Sequence, residues 1–230
     1  MTSNTKRQIS AWLGGGVAGA VLAILVGSQG SGLIPREEGR RNAAYLDPVG
    51  IPTICEGWTH GVRLGDWASD AECDELTLLG IRDAAAVFVA HVPGEVRAAM
   101  PPASIAAFLS FIYNVGPGVA GRKDGFVWLR NGRHSTMLRL LQAGDVRAAC
   151  LQMPRWATAQ GKPLRGLKLR RQREMALCLR DLEGAPADVA PDAPLPPPQP
   201  SPARGGGSKA ARRAHYHGQP VAWPRRAVWL

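Results

Sequence analysis

Apolar and polar residues alternate along "AAYLDPVGIPTICEGWTHG", residues 43–61, the period of a strand with one buried face. At its centre "DPVG" sets Asp, Pro and Gly at the first, second and fourth positions of a type I turn. A short β-hairpin is predicted there. Downstream the apolar period lengthens to that of helices. Ser69 and Glu72 have capping-box spacing ahead of "CDELTLLGIRDAAAVFVAHV", which Pro93 ends. Pro101 and Pro102 open a second helix, "ASIAAFLSFIYNV", and "GPG" at 116–118 closes it. After a Gly-rich loop, "STMLRLLQ" and "DVRAACLQM" each start at a capping residue, and "GLKLRRQREMALCLRDL" makes a last helix with apolar and basic faces. The pattern predicts an α+β body, mostly helical, with one small sheet near its start.

The two ends read differently. Gln8 to Pro35 contains no charged residue, with Lys6 and Arg7 before it and Arg36, Glu37 and Glu38 after it. Such a length can span a bilayer, and the basic flank would stay in the cytoplasm. The segment is only marginally apolar. Ile9, Leu13, Val17, Val21, Leu22, Ile24, Leu25 and Val26 together favour insertion by about 3 to 4 kcal/mol, opposed by the glycines, Ser10, Ser28 and Gln29. Residues 1–33 are therefore expected to be a signal anchor that can insert and later leave. A cleaved signal peptide and a buried or disordered leader compete with this reading, although no A-x-A site closes the apolar run. After Leu182 the Pro-rich, then Gly-rich "EGAPADVAPDAPLPPPQPSPARGGGS" has nothing to pack, so residues 183–230 are expected to be a linker and a disordered basic tail.

Composition narrows the partners. The 230 residues are 45% hydrophobic, enough to bury one core, and 28 Lys and Arg against 18 Asp and Glu give a net charge of +10. Anionic partners follow from that sign. No nucleic-acid-binding module is recognisable, so nucleic acid is not expected as a partner. Cys55, Cys73, Cys150 and Cys178 are too widely spaced for a CxxC metal site. No metal and no cofactor are expected. Two disulfides in any of three connectivities, or four buried thiols, remain open.

The chemistry lies in "EEGRRNAAYLDPVGIPT", residues 37–53. Hydrolysis of a glycosidic bond takes one carboxylic acid to protonate the leaving oxygen and a second group to activate water. Glu38 and Asp47 supply two carboxylates, but nine residues can extend to about 30 Å, so the chain must fold back between them. Gly39 and the "DPVG" turn permit that, and reversal returns Thr53 towards both acids. Its hydroxyl can donate to a carboxylate and accept from water. Partial burial would let Glu38 keep its proton, whereas Asp47 in a wetter turn would stay ionised. The same residues also suit a plain helix end, a turn and a strand.

Glu38, Asp47 and Thr53 at this spacing, within "AYLDPVGIPTICEG" and "WTHG" and after an apolar segment, closely resemble the catalytic stretch of phage-type lysozymes, glycoside hydrolase family 24. "FIYNVGPG", "STMLRLLQAGD", "PRW" and "GLKLRRQRE" resemble later landmarks of that family in the expected order. The resemblance covers residues 34–182. It implies a lysozyme-like α+β fold in which a small β-hairpin lobe and a larger helical lobe flank a cleft. It further implies a muramidase that cuts the β-1,4 bond between N-acetylmuramic acid and N-acetylglucosamine of peptidoglycan, with Glu38 as acid and Asp47 and Thr53 handling the water. Glu37 is the rival acid, but only Glu38 keeps the spacing to Asp47 and the following Gly. Tyr113 and Asn114 are candidate substrate-binding residues, and Trp156 with the arginines of 165–173 is either an anionic-polymer surface or core and solvated face.

Glu56 stands where the family often has an aromatic and Trp58 where it often has His, for which His60 is a candidate substitute. The apolar segment resembles the signal-anchor-release segments of some phage endolysins, which implies an inner-membrane tether with the catalytic domain in the periplasm and possible release there. Export makes disulfides sensible, with Cys55–Cys73 and Cys150–Cys178 as the local pairing. A monomer is expected. A lytic transglycosylase and a non-catalytic cell-wall binding protein are the alternatives.

Overall fold

The structure is a computed structural model and describes residues 2–27, 31–47, 50–159, 162–182 and 212–213. Two helices open the chain, α1 (Thr2–Leu13) and α2 (Gly15–Leu25), followed by the short α3 (Leu33–Glu38). The β lobe holds β1 (Tyr45–Leu46), β2 (Pro52–Thr53) and β3 (Asp66–Trp67). The helical lobe continues with α4 (Asp70–His91), α5 (Gly94–Ala99), α6 (Pro102–Val115), α7 (Thr136–Gln142) and α8 (Val146–Cys150). A 3-10 turn (Met153–Trp156), β4 (Thr158–Ala159), β5 (Lys162–Pro163) and α9 (Arg165–Leu179) complete it, and β6 (Arg212–Arg213) returns to the β lobe.

Local rules account for most boundaries. Strands β1 and β2 form the expected antiparallel hairpin, with Tyr45 opposite Thr53, and the Gly50 amide donates to the Asp47 carbonyl at 2.9 Å across the turn. Pro48 and Val49, the middle of that turn, lie outside the described residues. Ser69 and Glu72 close a reciprocal capping box at the start of α4: the Glu72 amide donates to Ser69 Oγ at 3.3 Å and the Ser69 amide to Glu72 Oε2 at 2.7 Å. Ser135 caps α7 and Asp145 caps α8 by single bonds, their side chains accepting from the Leu138 and Ala148 amides. Helix α6 is buried along its whole length from Ala103 to Val115, so it forms the axis around which the other helices pack. The loop after it folds tightly because Gly118 and Gly125 cross backbone to backbone. A Cβ on Gly125 would lie 2.0 Å from the Gly118 nitrogen.

Two cores result. Phe88, Phe108 and Phe126 cluster at 6.1 to 6.5 Å between centroids in the helical lobe, Phe88 stacked on Phe108 and Phe126 tilted against both. Ile54, Trp58, Val62, Ala68 and Leu76 pack around the Cys55–Cys73 disulfide in the β lobe. Cys150–Cys178 joins α8 to α9, so the local pairing expected for an exported chain is the one found. Each bridge constrains the unfolded chain by about 3 kcal/mol.

The N-terminal segment is packed into this body. Helices α1 and α2 meet at a bend of 120°, and among the described residues no single helix is long and apolar enough to cross a membrane, although the bent pair together passes on length and composition. Ile9, Ala18, Val21 and Leu25 are fully buried in the helical core, with α1 against α4 and α2 against α6. Arg97 holds the end of α1, donating from Nη1 to the Trp12 carbonyl at 3.2 Å and from Nε to the Val92 carbonyl at 3.0 Å. At the other end, Arg212 and Arg213 pair in parallel with Asp66 and Trp67 of β3. The rest of 183–230 lies outside the described residues, as does the expectation of disorder there.

Candidate active site

Glu38 is the last residue of α3, and Gly39 turns the chain out of the helix with φ of +71°. A Cβ at Gly39 would meet nothing within 4 Å, so conformation rather than crowding is what calls for glycine. The Glu38 side chain is 15% exposed and its Oε1 accepts from Arg170 Nη1 of α9 at 2.8 Å. Its Oε2 lies 3.9 Å from where a Cβ on Gly57 would stand, so the carboxyl faces the β lobe.

Glu37 is held differently. It forms a fork-to-fork pair with Arg173, Nε to Oε1 at 2.5 Å and Nη2 to Oε2 at 2.6 Å, and only 4% of its side chain is exposed. Both of its oxygens are occupied by one guanidinium.

Asp47 sits where the hairpin turns. Its Oδ1 accepts from the Ile51 amide at 2.8 Å, and its own amide donates to the Ile51 carbonyl at 3.0 Å. Thr53, on β2, is buried, and its hydroxyl donates to the same Ile51 carbonyl at 2.9 Å rather than to a carboxylate. With its proton committed, the hydroxyl can only accept from a further partner. Tyr45 lies opposite it, a residue that sequence reasoning did not single out. Burial pushes the Tyr45 phenol up, the Arg41 guanidinium 4.4 Å above the ring pulls it down, and Glu38 and then Asp47 push it up further. The fields of both acids therefore converge on one side chain.

Tyr113 and Asn114 are buried at the end of α6. The Tyr113 hydroxyl donates to the Glu56 carbonyl at 3.1 Å, pinning the helical lobe to the β lobe, and Asn114 Oδ1 accepts from Arg171. Arg171 is itself wholly buried, over the Phe111 ring at 4.8 Å, and burial lowers its guanidinium to about 10 against the opposing pull of Glu174. Trp156 meets Phe111 edge-on at 5.4 Å, so it serves the core.

Glu56, in the position where an aromatic was the family expectation, is a buried anion with two partners. Its Oε1 accepts from Arg40 Nε at 2.6 Å and its Oε2 from Thr77 at 2.9 Å, while Arg40 also reaches Asp74 at 2.5 Å. Arg40 follows Glu38 by two residues, so this network ties the acid-bearing turn to the β lobe and α4. Trp58 donates from its indole to the His60 carbonyl at 3.1 Å, with the two rings edge-to-face at 5.6 Å. Cys55, Glu56 and Cys73 cluster within 4.8 Å, but the cysteines are oxidised to each other and Glu56 is taken by Arg40, so the group offers no thiolate to a metal.

A helical lobe and a small β lobe, with acids at the helix end and on the hairpin that join them, define a lysozyme-type glycoside hydrolase. The chain belongs to the phage lysozyme family, which it matches over residues 35–174. It is 31% identical over 180 residues to the SAR-endolysin of Enterobacteria phage PA-2, covering 78% of this chain and 98% of that one. The SAR-endolysin of Enterobacteria phage P21 matches at the same identity and coverage. Among solved structures it is similar to the active form of the P1 phage endolysin Lyz, with a TM-score of 0.56 and 26% identity over 76% of this chain and 93% of that one. A mutant of P22 lysozyme matches with a TM-score of 0.50 and 29% identity over 64% and 92% of the two chains. The protein is a peptidoglycan-hydrolysing endolysin.

Proposed function

We propose that Glu38 is the general acid that protonates the leaving oxygen of the β-1,4 bond between N-acetylmuramic acid and N-acetylglucosamine, and that Asp47 and Thr53 handle the water on the opposite side. The observation that carries this reading is the placement of Glu38 at the end of α3, buried on its helical side and turned towards Gly57 of the β lobe. Saccharide bound between the lobes would displace water from Glu38 and strengthen its hydrogen bond to the leaving oxygen. Asp47, with one oxygen fixed by the Ile51 amide, would accept the proton of the attacking water. Thr53, whose proton is spent on the Ile51 carbonyl, would accept the water's second hydrogen and so fix its orientation. Tyr113 and Asn114 would act through what they hold, the Glu56 strand and Arg171.

The N-terminal segment is proposed to have two positions. It first tethers the chain to the inner membrane with the catalytic domain in the periplasm, then leaves the bilayer and docks as α1 and α2. Its marginal hydrophobicity supports the first position, and the burial of Ile9, Ala18, Val21 and Leu25 in the helical core supports the second.

Clearing of a peptidoglycan suspension by the full chain, wild type beside Glu38→Gln, tests the chemistry. New reducing ends are expected from hydrolysis, whereas 1,6-anhydro ends would assign a lytic transglycosylase, which needs an acid but no activated water. Carbonate extraction of membranes from expressing cells tests the tether: the chain should remain in the pellet early and appear in the soluble periplasmic fraction later.

A further inference from the structure

Arg170 does not serve Glu38 alone. Its Nη1 lies 2.8 Å from Glu38 Oε1 and its Nε 3.1 Å from Glu174 Oε1, one turn along the same helix. Glu174 is fully buried and also accepts from Ser110 Oγ of α6 at 2.8 Å. Its Oε2 stands 2.6 Å from Arg171 Nη1, off the angle of a hydrogen bond, so that contact is Coulombic. The acid-bearing helix end thus meets a closed set of charges with little solvent to screen them.

We propose that Glu174 is a positioning residue for bond cleavage: by holding Arg170 from the side away from Glu38, and by neutralising Arg171, it limits how tightly Arg170 binds the Glu38 carboxylate and so extends the pH range over which Glu38 carries the proton it must donate. This rests on the reading of Glu38 as the acid.

The sign follows from the charges. Glu37 is paired with Arg173 and shares the field of Arg170 and Arg171, so without Glu174 a larger part of their positive charge falls on Glu38. Helix α3 otherwise brings Arg36, and α6 contributes the uncharged Ser110 and Asn114. The β lobe brings Arg41, Tyr45 and Asp47, which already act on one another. The elements packed on the far part of α9 carry Arg147 and Arg155, further cations, while Asp145 caps α8. Among the described residues, Glu174 is therefore the one buried anion paired with Arg170 that does not belong to α3. Removing its charge stabilises the Glu38 carboxylate, and the protonated acid becomes rarer at every pH above its titration.

The experiment is the pH profile of kcat/KM on peptidoglycan for the full chain. Glu174→Gln should move the alkaline limb to lower pH by about one unit, lowering the rate beyond that limb roughly tenfold with KM unchanged. Glu174→Asp, which keeps the charge, should leave the limb near its wild-type position. Arg171→Gln should move it the opposite way, to higher pH. A limb that stays in place in both Glu174→Gln and Arg171→Gln while the rate scales uniformly would assign Glu174 a merely structural role and overturn the proposal. Should Glu174→Gln fail to fold by circular dichroism, Arg171→Gln decides. If neither folds, carboxyl-carbon NMR of the wild type decides, because Glu174 must be ionised throughout the active range. Glu38→Gln, run alongside, should be inactive; an active Glu38→Gln that keeps the limb would overturn the reading of Glu38 itself.

Discussion

Glu38 and Arg170, 132 residues apart in sequence, meet at 2.8 Å where α3 ends against α9. Their neighbours Glu37 and Arg173 pair one step further along. Two adjacent glutamates thus receive two arginines of one helix, yet Glu37 gives up both oxygens and Glu38 only one.

That asymmetry separates the two acids by mutation. Glu38→Gln should lower kcat at least about a hundredfold, the usual loss of a general acid. Glu37→Gln should stay within about threefold of wild type while losing roughly 1–2 kcal/mol of stability, since Arg173 is 29% exposed and can recover water. Initial clearing rates and urea midpoints read the two effects. Equal loss of activity in both would overturn the assignment.

Thr53→Val tests the water-handling role. The Ile51 carbonyl keeps its bond from the Asp47 amide, so loss of the hydroxyl should change stability by only about 1 kcal/mol. A kcat reduced roughly ten- to a hundredfold is expected if the hydroxyl orients water. Thr53→Ser should recover most of it.

Glu56→Gln should destabilise the protein by about 3–5 kcal/mol, because it leaves Arg40 partly buried with one anion fewer. Replacing both partners, Arg40→Met with Glu56→Leu, should recover much of that stability. Chemical denaturation of the single and double variants measures the coupling.

Removing residues 1–27 would strip Ile9, Val21 and Leu25 from the helical core. Unfolding free energy should fall by about 5 kcal/mol in the absence of membrane, taking roughly 1.5–3 kcal/mol for each side chain as an upper range. An unchanged urea midpoint would mean that the docked helices contribute nothing to the folded state.

Lys123 supplies a pH dependence. Burial pushes its ammonium below the ordinary value of 10.5. Between the lowered folded value and that ordinary value the unfolded chain binds more protons than the folded one, so this group makes stability rise with pH across the window. Below the window the half-buried charge is a standing penalty. Lys123→Met should therefore raise Tm at pH 7 by about 1–2 °C, with the gain fading as the pH approaches the ordinary lysine range. Calorimetry at two pH values checks it.

Nearest-neighbour chemistry determined much of this protein. The hairpin around Asp47, the capping box of Ser69 and Glu72, the opening of α6 at Pro101 and Pro102 and the caps of α7 and α8 all involve partners within a few residues, and each could be read directly from the sequence. The short helices α3 and α5 and the two-residue strands beyond the hairpin are too brief to leave a period, and no pattern announced them.

What only the tertiary structure decided is which charges are buried together. Arg170, Arg171 and Glu174 look in sequence like a solvated basic face, and Glu56 like a misplaced polar residue. Burial becomes possible only when α9 meets α3 and α6, and when Arg40 swings against the β lobe, bringing opposite charges from distant segments into contact. The docking of α1 and α2 has the same origin: an apolar run fits a bilayer or a protein core equally well, and the folded helical lobe supplies the second environment.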